Sequence, residues 1–181
     1  MSHEVLQALT QRLGSAVVST HDHRGDETAV IDEVALRETC LWLRDTPQWR
    51  FDMLTDLTAV DWLEQGHTPR FELVYQLYSM PRRHRLRLKV GLDHPDQGVD
   101  TISDIWRNAN WLEREVWDMY GITFHGHPDP RRILLYESFE GHPLRKDYPK
   151  QKRQPLTRRP QHEIDEVMAG YPRSTGKRNL L

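Results

Sequence analysis

Two neighbouring stretches decide the fold: Phe71-Glu72-Leu73-Val74-Tyr75-Gln76-Leu77-Tyr78 and, after Met80-Pro81-Arg82-Arg83, His84-Arg85-Leu86-Arg87-Leu88-Lys89-Val90-Gly91-Leu92. Both alternate with a period of two. In the second, Leu86, Leu88, Val90 and Leu92 point one way and Arg85, Arg87 and Lys89 the other, the pattern of an antiparallel sheet with one covered and one wet face. Helices are needed to cover the apolar side. Phe51 to Val60 reads as a further strand, interrupted by Asp and Thr. Ala16-Val17-Val18 and Ala29-Val30-Ile31, separated by the turn-rich His21-Asp22-His23-Arg24-Gly25-Asp26, read as a hairpin.

Three helices accompany these strands. The first spans 3–13, with Ser2 as its cap, Val5, Leu9 and Leu13 on one face, and Gly14 as its stop. The second spans 33–45 behind Asp32 as cap, with Leu36, Cys40 and Leu43 inward, Glu33 and Arg37 spaced for an ion pair, and Pro47 ending it. The third runs from about Ile102 to Tyr120, with a break near Asn108-Ala109-Asn110, a buried stripe of Leu112, Val116 and Met119, and Gly121 as its end. The expectation is an α+β, two-layer domain over residues 1–125, its mixed, largely antiparallel sheet of about five strands covered by helices. An extended segment over 126–181 would follow.

Composition narrows the function. With 181 residues, 37% apolar and 29% charged, and a mean hydropathy of −0.76, the chain has the makings of one core plus an appendage. No apolar run approaches the roughly 20 residues of a membrane span and no signal peptide opens the chain, so a cytoplasmic address without direct membrane insertion is expected. The single Cys40 can form no internal disulfide and cannot ligate an iron–sulfur cluster or structural zinc alone. Charge is segregated: residues 1–130 sum to −8 and residues 131–181 to +6. Residues 141–181 hold only 10 apolar residues and 5 of the 11 prolines, so this tail cannot build a core of its own; it is disordered or lies along another protein.

Catalytic motifs are absent. There is no GxGxxG, no GxxxxGK[ST] and no GxSxG, and Cys40 falls on an apolar helix face. His125-Gly126-His127 with Asp129 and His142 could converge on zinc, as in a stand-alone hydrolase, although an HxH pair in a Gly/Pro-rich loop more often serves turns. Glu113, Arg114, Glu115 and Asp118 are interleaved with Trp111, Leu112, Val116, Trp117, Met119 and Tyr120, so they cannot all face water. Arg114 and Asp118 are spaced for an ion pair, and the other carboxylates could accept from Arg131 or Arg132. A buried ion-pair lattice fixing a loop or an interface fits better than an acid–base pair. The basic run Arg145, Lys146, Lys150, Lys152, Arg153, Arg158 and Arg159 faces only Asp147, and Tyr148 is its lone aromatic, so a carboxylate-lined protein groove suits it better than nucleic acid.

The run Glu113-Arg114-Glu115-x-x-Asp118-Met119-Tyr120, then six residues, His127, three residues, Arg131, one residue and Ile133, resembles the signature of the 30 kDa subunit family, the C-type subunit, of proton-translocating NADH:quinone oxidoreductase, respiratory complex I. Glu140-Gly141-His142-Pro143-Leu144-Arg145-Lys146-Asp147-Tyr148-Pro149 resembles that family's second block. The resemblance implies a free-standing bacterial C-type subunit, not the form fused to its D-type neighbour. Such a subunit lies in the peripheral arm on the cytoplasmic side of the inner membrane, packed against the large D-type subunit that helps form the quinone site, with its tail over neighbouring subunits. FMN and the iron–sulfur clusters would sit in partner subunits, leaving this chain with no cofactor, metal or catalytic residue of its own while it supports electron transfer from NADH to quinone coupled to proton translocation. Glu113, Glu115, Asp118, Arg131, Arg132, Arg145 and Asp147 would be interface or loop-fixing residues. Gly126, His127, Gly141 and Pro143 would set backbone shape, and Arg114, Gly121, Pro128, His142, Leu144 and Lys146 complete the signature positions. A membrane-bound hydrogenase or a ferredoxin-driven quinone reductase could use the same kind of subunit.

Overall fold

A computed structural model describes residues 4–154 of the chain. The strands expected at the centre pair as their alternation requires. β4 (Phe71–Ser79) and β5 (His84–Leu92) are antiparallel, with Tyr75 opposite Leu88 and Leu77 opposite Leu86. β3 (Met53–Asp61) lies antiparallel on the other side of β4. The hairpin of β1 (Val17–His23) and β2 (Asp26–Ile31) joins β5 through a parallel β2–β5 pairing, giving the order β1-β2-β5-β4-β3. The sheet is thus mixed and largely antiparallel, as expected.

The helices are α1 (Glu4–Leu13), α2 (Leu36–Asp45) and α3 (Ala109–Tyr120). Val5 and Leu9 of α1, Leu36, Cys40 and Leu43 of α2 and Val116 of α3 share one core with Leu73, Tyr75, Leu77, Leu86, Leu88 and Val90 of the sheet. The opposite sheet face carries the polar set, where Lys89 bonds Glu72 at 2.8 Å. Burial of Cys40 pushes its thiol well up, so it is a core group and no nucleophile.

Several local expectations are corrected. α1 covers Glu4–Leu13 from the first described residue on, and the expected helix start at residue 3 and cap Ser2 lie outside the described residues. Asp32 precedes a 3-10 turn, Glu33–Ala35; its carbonyl accepts from Ala35 N–H at 3.1 Å and its side chain makes no cap bond. That turn has about three residues per turn, so Glu33 and Arg37 do not stack. Arg37 instead forks onto Asp104, with both bonds at 2.7 Å, and Glu33 accepts from Gln97. The third helix starts seven residues later than Ile102, because 102–108 form turns. Leu112 is only half-buried, and Ala109 and Glu113 join Val116 and Met119 in the buried stripe. A two-stranded parallel pair, β6 (Val99–Asp100) and β7 (Phe124–His125), escaped the sequence because two residues carry no period.

Asn108 Nδ2 bonds Leu54 O at 2.7 Å and Trp106 Nε1 bonds Phe51 O at 3.2 Å, so the turn before α3 is pinned to the β3 side of the sheet. At the far end of the sheet, Pro69 lies against Gly91: a Cβ there would come within 2.2 Å of the proline ring. Gly91→Ala is therefore expected to destabilise the chain by about 1–3 kcal/mol. An unchanged denaturant midpoint would refute that packing.

Candidate functional site

The sequence motifs converge on the C-terminal half of α3. Asp118 is fully buried and accepts four hydrogen bonds: Arg132 Nη1 at 2.6 Å on one oxygen, and the backbone N–H groups of Ile133 (3.1 Å), Leu134 (2.9 Å) and Leu135 (2.9 Å) on the other. Burial alone would push this carboxyl up. The N–H of Leu135, the Arg132 guanidinium and the N–H groups of Leu134 and Ile133 outweigh it and hold the group below the usual carboxylate range.

One helical turn earlier, Arg114 does the complementary work. Its Nε and Nη2 each donate at 3.0 Å, to the carbonyls of Arg131 and Arg132, and Nη1 lies 3.3 Å from Asp129. An acceptor and a donor at i,i+4 on one helix thus take the N–H groups and carbonyls of a single loop. The expected Arg114–Asp118 pair is not made, because each spends its capacity on 131–135. Arg132 also bonds the carbonyls of Phe139 (2.8 Å) and Gly141 (3.2 Å) and lies over the Trp117 and Phe139 rings. Arg131 bonds Asp129, not an α3 carboxylate.

The second block closes the end of the same helix. His142 Nδ1–H donates to Asp118 O at 3.0 Å, Leu144 N–H to Met119 O at 3.1 Å, and Arg145 Nε–H to Tyr120 O. Three successive carbonyls that a helix end leaves unpaired are satisfied this way. Burial lowers the basicity of His142, and the neighbouring Arg145 and Arg132 cations add to that, so the ring is neutral near pH 7. Gly121 permits the approach: its φ is +72°, and a Cβ there would lie 2.3 Å from Arg145 Nη2 and 2.6 Å from His142 Cδ2. Over 142–147 the tail therefore lies on the chain's own domain, where the expectation was disorder or a course along another protein. The tail residues beyond 154, Arg158 and Arg159 among them, lie outside the described residues.

Two residues that sequence reasoning missed complete the anchor. Asp61, buried at the end of β3, accepts from Arg70 Nε (3.0 Å) and Nη2 (2.9 Å), from Leu63 N–H (3.0 Å) and from Lys146 N–H (2.9 Å). Arg70 also lies 3.0 Å from Asp147. The signal was present: Asp61 shares the inward parity of Leu57 and Ala59.

Glu113 tethers the other side of α3. It is fully buried, accepts from Thr101 Oγ1 and from Ile102 N–H at 2.8 Å, and lies 3.7 Å from His127 Nε2. His127 Nδ1 accepts from Asp129 N–H at 3.0 Å, which leaves the proton on Nε2, 3.0 Å from Asn110 O. Burial pushes the Glu113 carboxyl up to about 7, against the Thr101 and Ile102 bonds that favour its ionised form. Glu115, Gly126, Pro128, Gly141, Lys146 and Asp147 are exposed, Pro143 is half-buried and Leu144 is largely exposed. The three histidines of the zinc reading are not gathered: His125 bonds Gln97 O, His127 faces Asn110 O and His142 faces Asp118 O. Among the described residues no group of three or more potential ligands could hold a metal ion.

Residues 29–154 match the family model described as the respiratory-chain NADH dehydrogenase 30 Kd subunit. The chain belongs to this family. Among its relatives, the C-type subunit of NADH-quinone oxidoreductase from Geobacter sulfurreducens is 43% identical over 79% of this chain and 86% of the relative. The second of the C-type NADH-quinone oxidoreductase subunits of Rhizobium meliloti is 44% identical over 80% and 78%. The trypsin-resistant fragment of Nqo5 superposes with a TM-score of 0.61 at 28% identity, covering 69% of this chain and 98% of that one. A chain of the membrane-bound sulfane sulfur reductase, an archaeal respiratory membrane complex, has a TM-score of 0.66 at 18% identity over 98% and 97%, a likeness of fold alone. For this 30 Kd family member, the most conspicuous polar residues of the motifs are engaged with the chain's own backbone.

Glu113 makes stability pH-dependent with a definite sign. Its folded value lies above its unfolded one, so folding takes up a proton between about pH 4.5 and 7, and stability falls as pH rises through that window before levelling off. The decline should be on the order of 3 kcal/mol. Glu113→Gln should flatten it in urea melts run across pH; parallel curves for the two proteins would refute the assignment.

Proposed function

We propose that the chain is a structural, cofactor-free subunit of the peripheral arm of NADH:quinone oxidoreductase, docked on the D-type subunit of the quinone site and on neighbouring peripheral-arm subunits at the cytoplasmic side of the inner membrane. Electrons pass through FMN and iron–sulfur clusters of other subunits on their way to quinone. This chain contributes distance and orientation. The observation that carries the reading is the paired use of Arg114 and Asp118 to clamp one loop, 131–135, onto α3. Groups committed to backbone in this way position a surface and have no capacity left for substrate.

Other features support it. Among the described residues no helix is long and apolar enough to cross a membrane. Leu144 is 48% exposed, beside Lys146, Lys150 and Arg153, whose charges have no ion pair among the described residues. A neighbour bearing carboxylates matches that surface, whereas the net charge of −8 over residues 1–130 opposes nucleic acid. The identities of 43–44% to NADH-quinone oxidoreductase subunits favour NADH over ferredoxin or hydrogen as the electron source of the assembly.

The test is complementation of a host lacking its own copy. Asp118→Asn frees the loop and strips Arg132 of its counter-charge, and Arg131→Ala alters the loop's exposed side without touching the clamp. Both should lower the amount of membrane complex recovered, Asp118→Asn several-fold, while turnover per assembled complex stays at the wild-type value. Normal recovery with lost turnover would assign the site a chemical role and overturn the proposal.

A further inference from the structure

Of the six tryptophans, all described, Trp111 alone is exposed: it keeps 69% of its surface in water, where Trp49 and Trp106 keep 6% and 5%. An indole is among the largest apolar groups, so covering it removes a large apolar area from water. Its place is specific. Ala109 N–H bonds Trp106 O and Asn110 N–H bonds Arg107 O, so the turn before α3 runs into the helix; Trp111 and Glu115 stand four residues apart on α3, and Arg107 lies in the three-residue turn that leads into it. All three are exposed, and neither charge has an ion pair or hydrogen bond among the described residues. The exposed stripe therefore presents guanidinium, indole and carboxylate in succession, the last two about one turn apart on α3.

Its neighbours are held rigid. Trp111 stands three residues before Arg114 and seven before Asp118, the two residues that clamp loop 131–135, so the loop lies along the same side of α3. Leu134, at the middle of that loop, is 61% exposed although its N–H is bonded to Asp118. Thr101 and Ile102 tether the helix through Glu113 on its inner face. An exposed apolar anchor on a pre-ordered support, flanked by uncommitted charges, has the composition of an interface hot spot.

We propose that the stripe Arg107–Trp111–Glu115, with Leu134 on the loop clamped along the same side of α3, is the anchor by which this chain docks on an adjoining protein of the same assembly. The partner presents an apolar recess for the indole, a carboxylate opposite Arg107 and a basic side chain opposite Glu115. This rests on the structural-subunit reading above and names the face that reading leaves open. A single polyanion meets repulsion at Glu115. A second copy laid antiparallel would match the charges as well, but the family model matched over 29–154 describes a subunit of a larger respiratory-chain enzyme, which favours a different chain of that assembly.

The test uses the full chain in complemented membranes. Trp111→Ala should reduce co-purification of this chain with the remaining subunits at least ten-fold, Trp111→Phe should restore part of it, and the double reversal Arg107→Glu with Glu115→Lys should reduce it as well. Because all three side chains face water, circular dichroism and melting of the purified variants should match wild type. Hydroxyl-radical footprinting should oxidise Trp111 in the free chain and leave it protected in the complex. If wild type itself enters no such assembly, the structural-subunit reading fails and this inference with it. If wild type enters and Trp111→Ala enters equally, or Trp111 stays oxidisable in the complex, only the docking face is overturned. The same holds if Trp111→Ala abolishes self-association while assembly is unchanged.

Discussion

The Asp118 carboxylate is the constraint on which the C-terminal third of the described chain depends. A fully buried anion is costly unless its lone pairs are filled, and here three consecutive backbone N–H groups and a guanidinium fill them. Three successive N–H groups converge on one oxygen only if the backbone bends around it, so the charge dictates the shape of 133–135. Arg114 closes the same loop from the carbonyl side. The loop is thereby specified by two side chains on one helix, with little apolar contribution from its own residues.

The end of α3 is treated in the same way. A helix that stops with unpaired carbonyls usually leaves them to water; here His142, Leu144 and Arg145 supply donors, and Gly121 supplies both the left-handed turn and the room. Asp61 then ties Lys146 to the sheet and, through Arg70, Asp147. A Pro-rich segment with too little apolar surface for a core is ordered instead by hydrogen bonds to groups already fixed, where the ordering cost falls on few residues.

Much of the fold was legible because alternation over β4 and β5 runs for nine residues in each strand, long enough to fix parity and hence the covered face. The parallel β2–β5 contact was not legible, since strand order is a tertiary property that no local period encodes. Boundaries slipped where local chemistry competed: the 3-10 turn at Glu33–Ala35 broke the Glu33–Arg37 spacing, and turns over 102–108 replaced helix. In the site, the charges set among apolar residues announced burial, and Arg132 stood among their candidate donors. The partners were harder. Arg114 and Asp118 have the spacing of an ion pair, yet the backbone of a loop thirteen or more residues away offers both of them better geometry. Spacing along a helix states which groups can meet; it cannot state that a third element will outbid them.

The arrangement also explains why so much charge is concentrated in a segment to which no reaction is assigned. Apolar contact between a loop and a helix tolerates sliding, because dispersion depends weakly on register. A carboxylate with four donors at 2.6–3.1 Å does not, since displacement by one residue leaves a buried charge unpaired. Under the structural-subunit proposal, in which the chain holds distances between its neighbours, that steepness is the useful property. Glu113 shows the limit of the strategy: with two donors in place of four, and no guanidinium bonded to it, burial prevails and the carboxyl is pushed up to about 7. The two acids of one helix thus divide between an ionised anchor and a weakly acidic one according to the number of donors the fold brings to each.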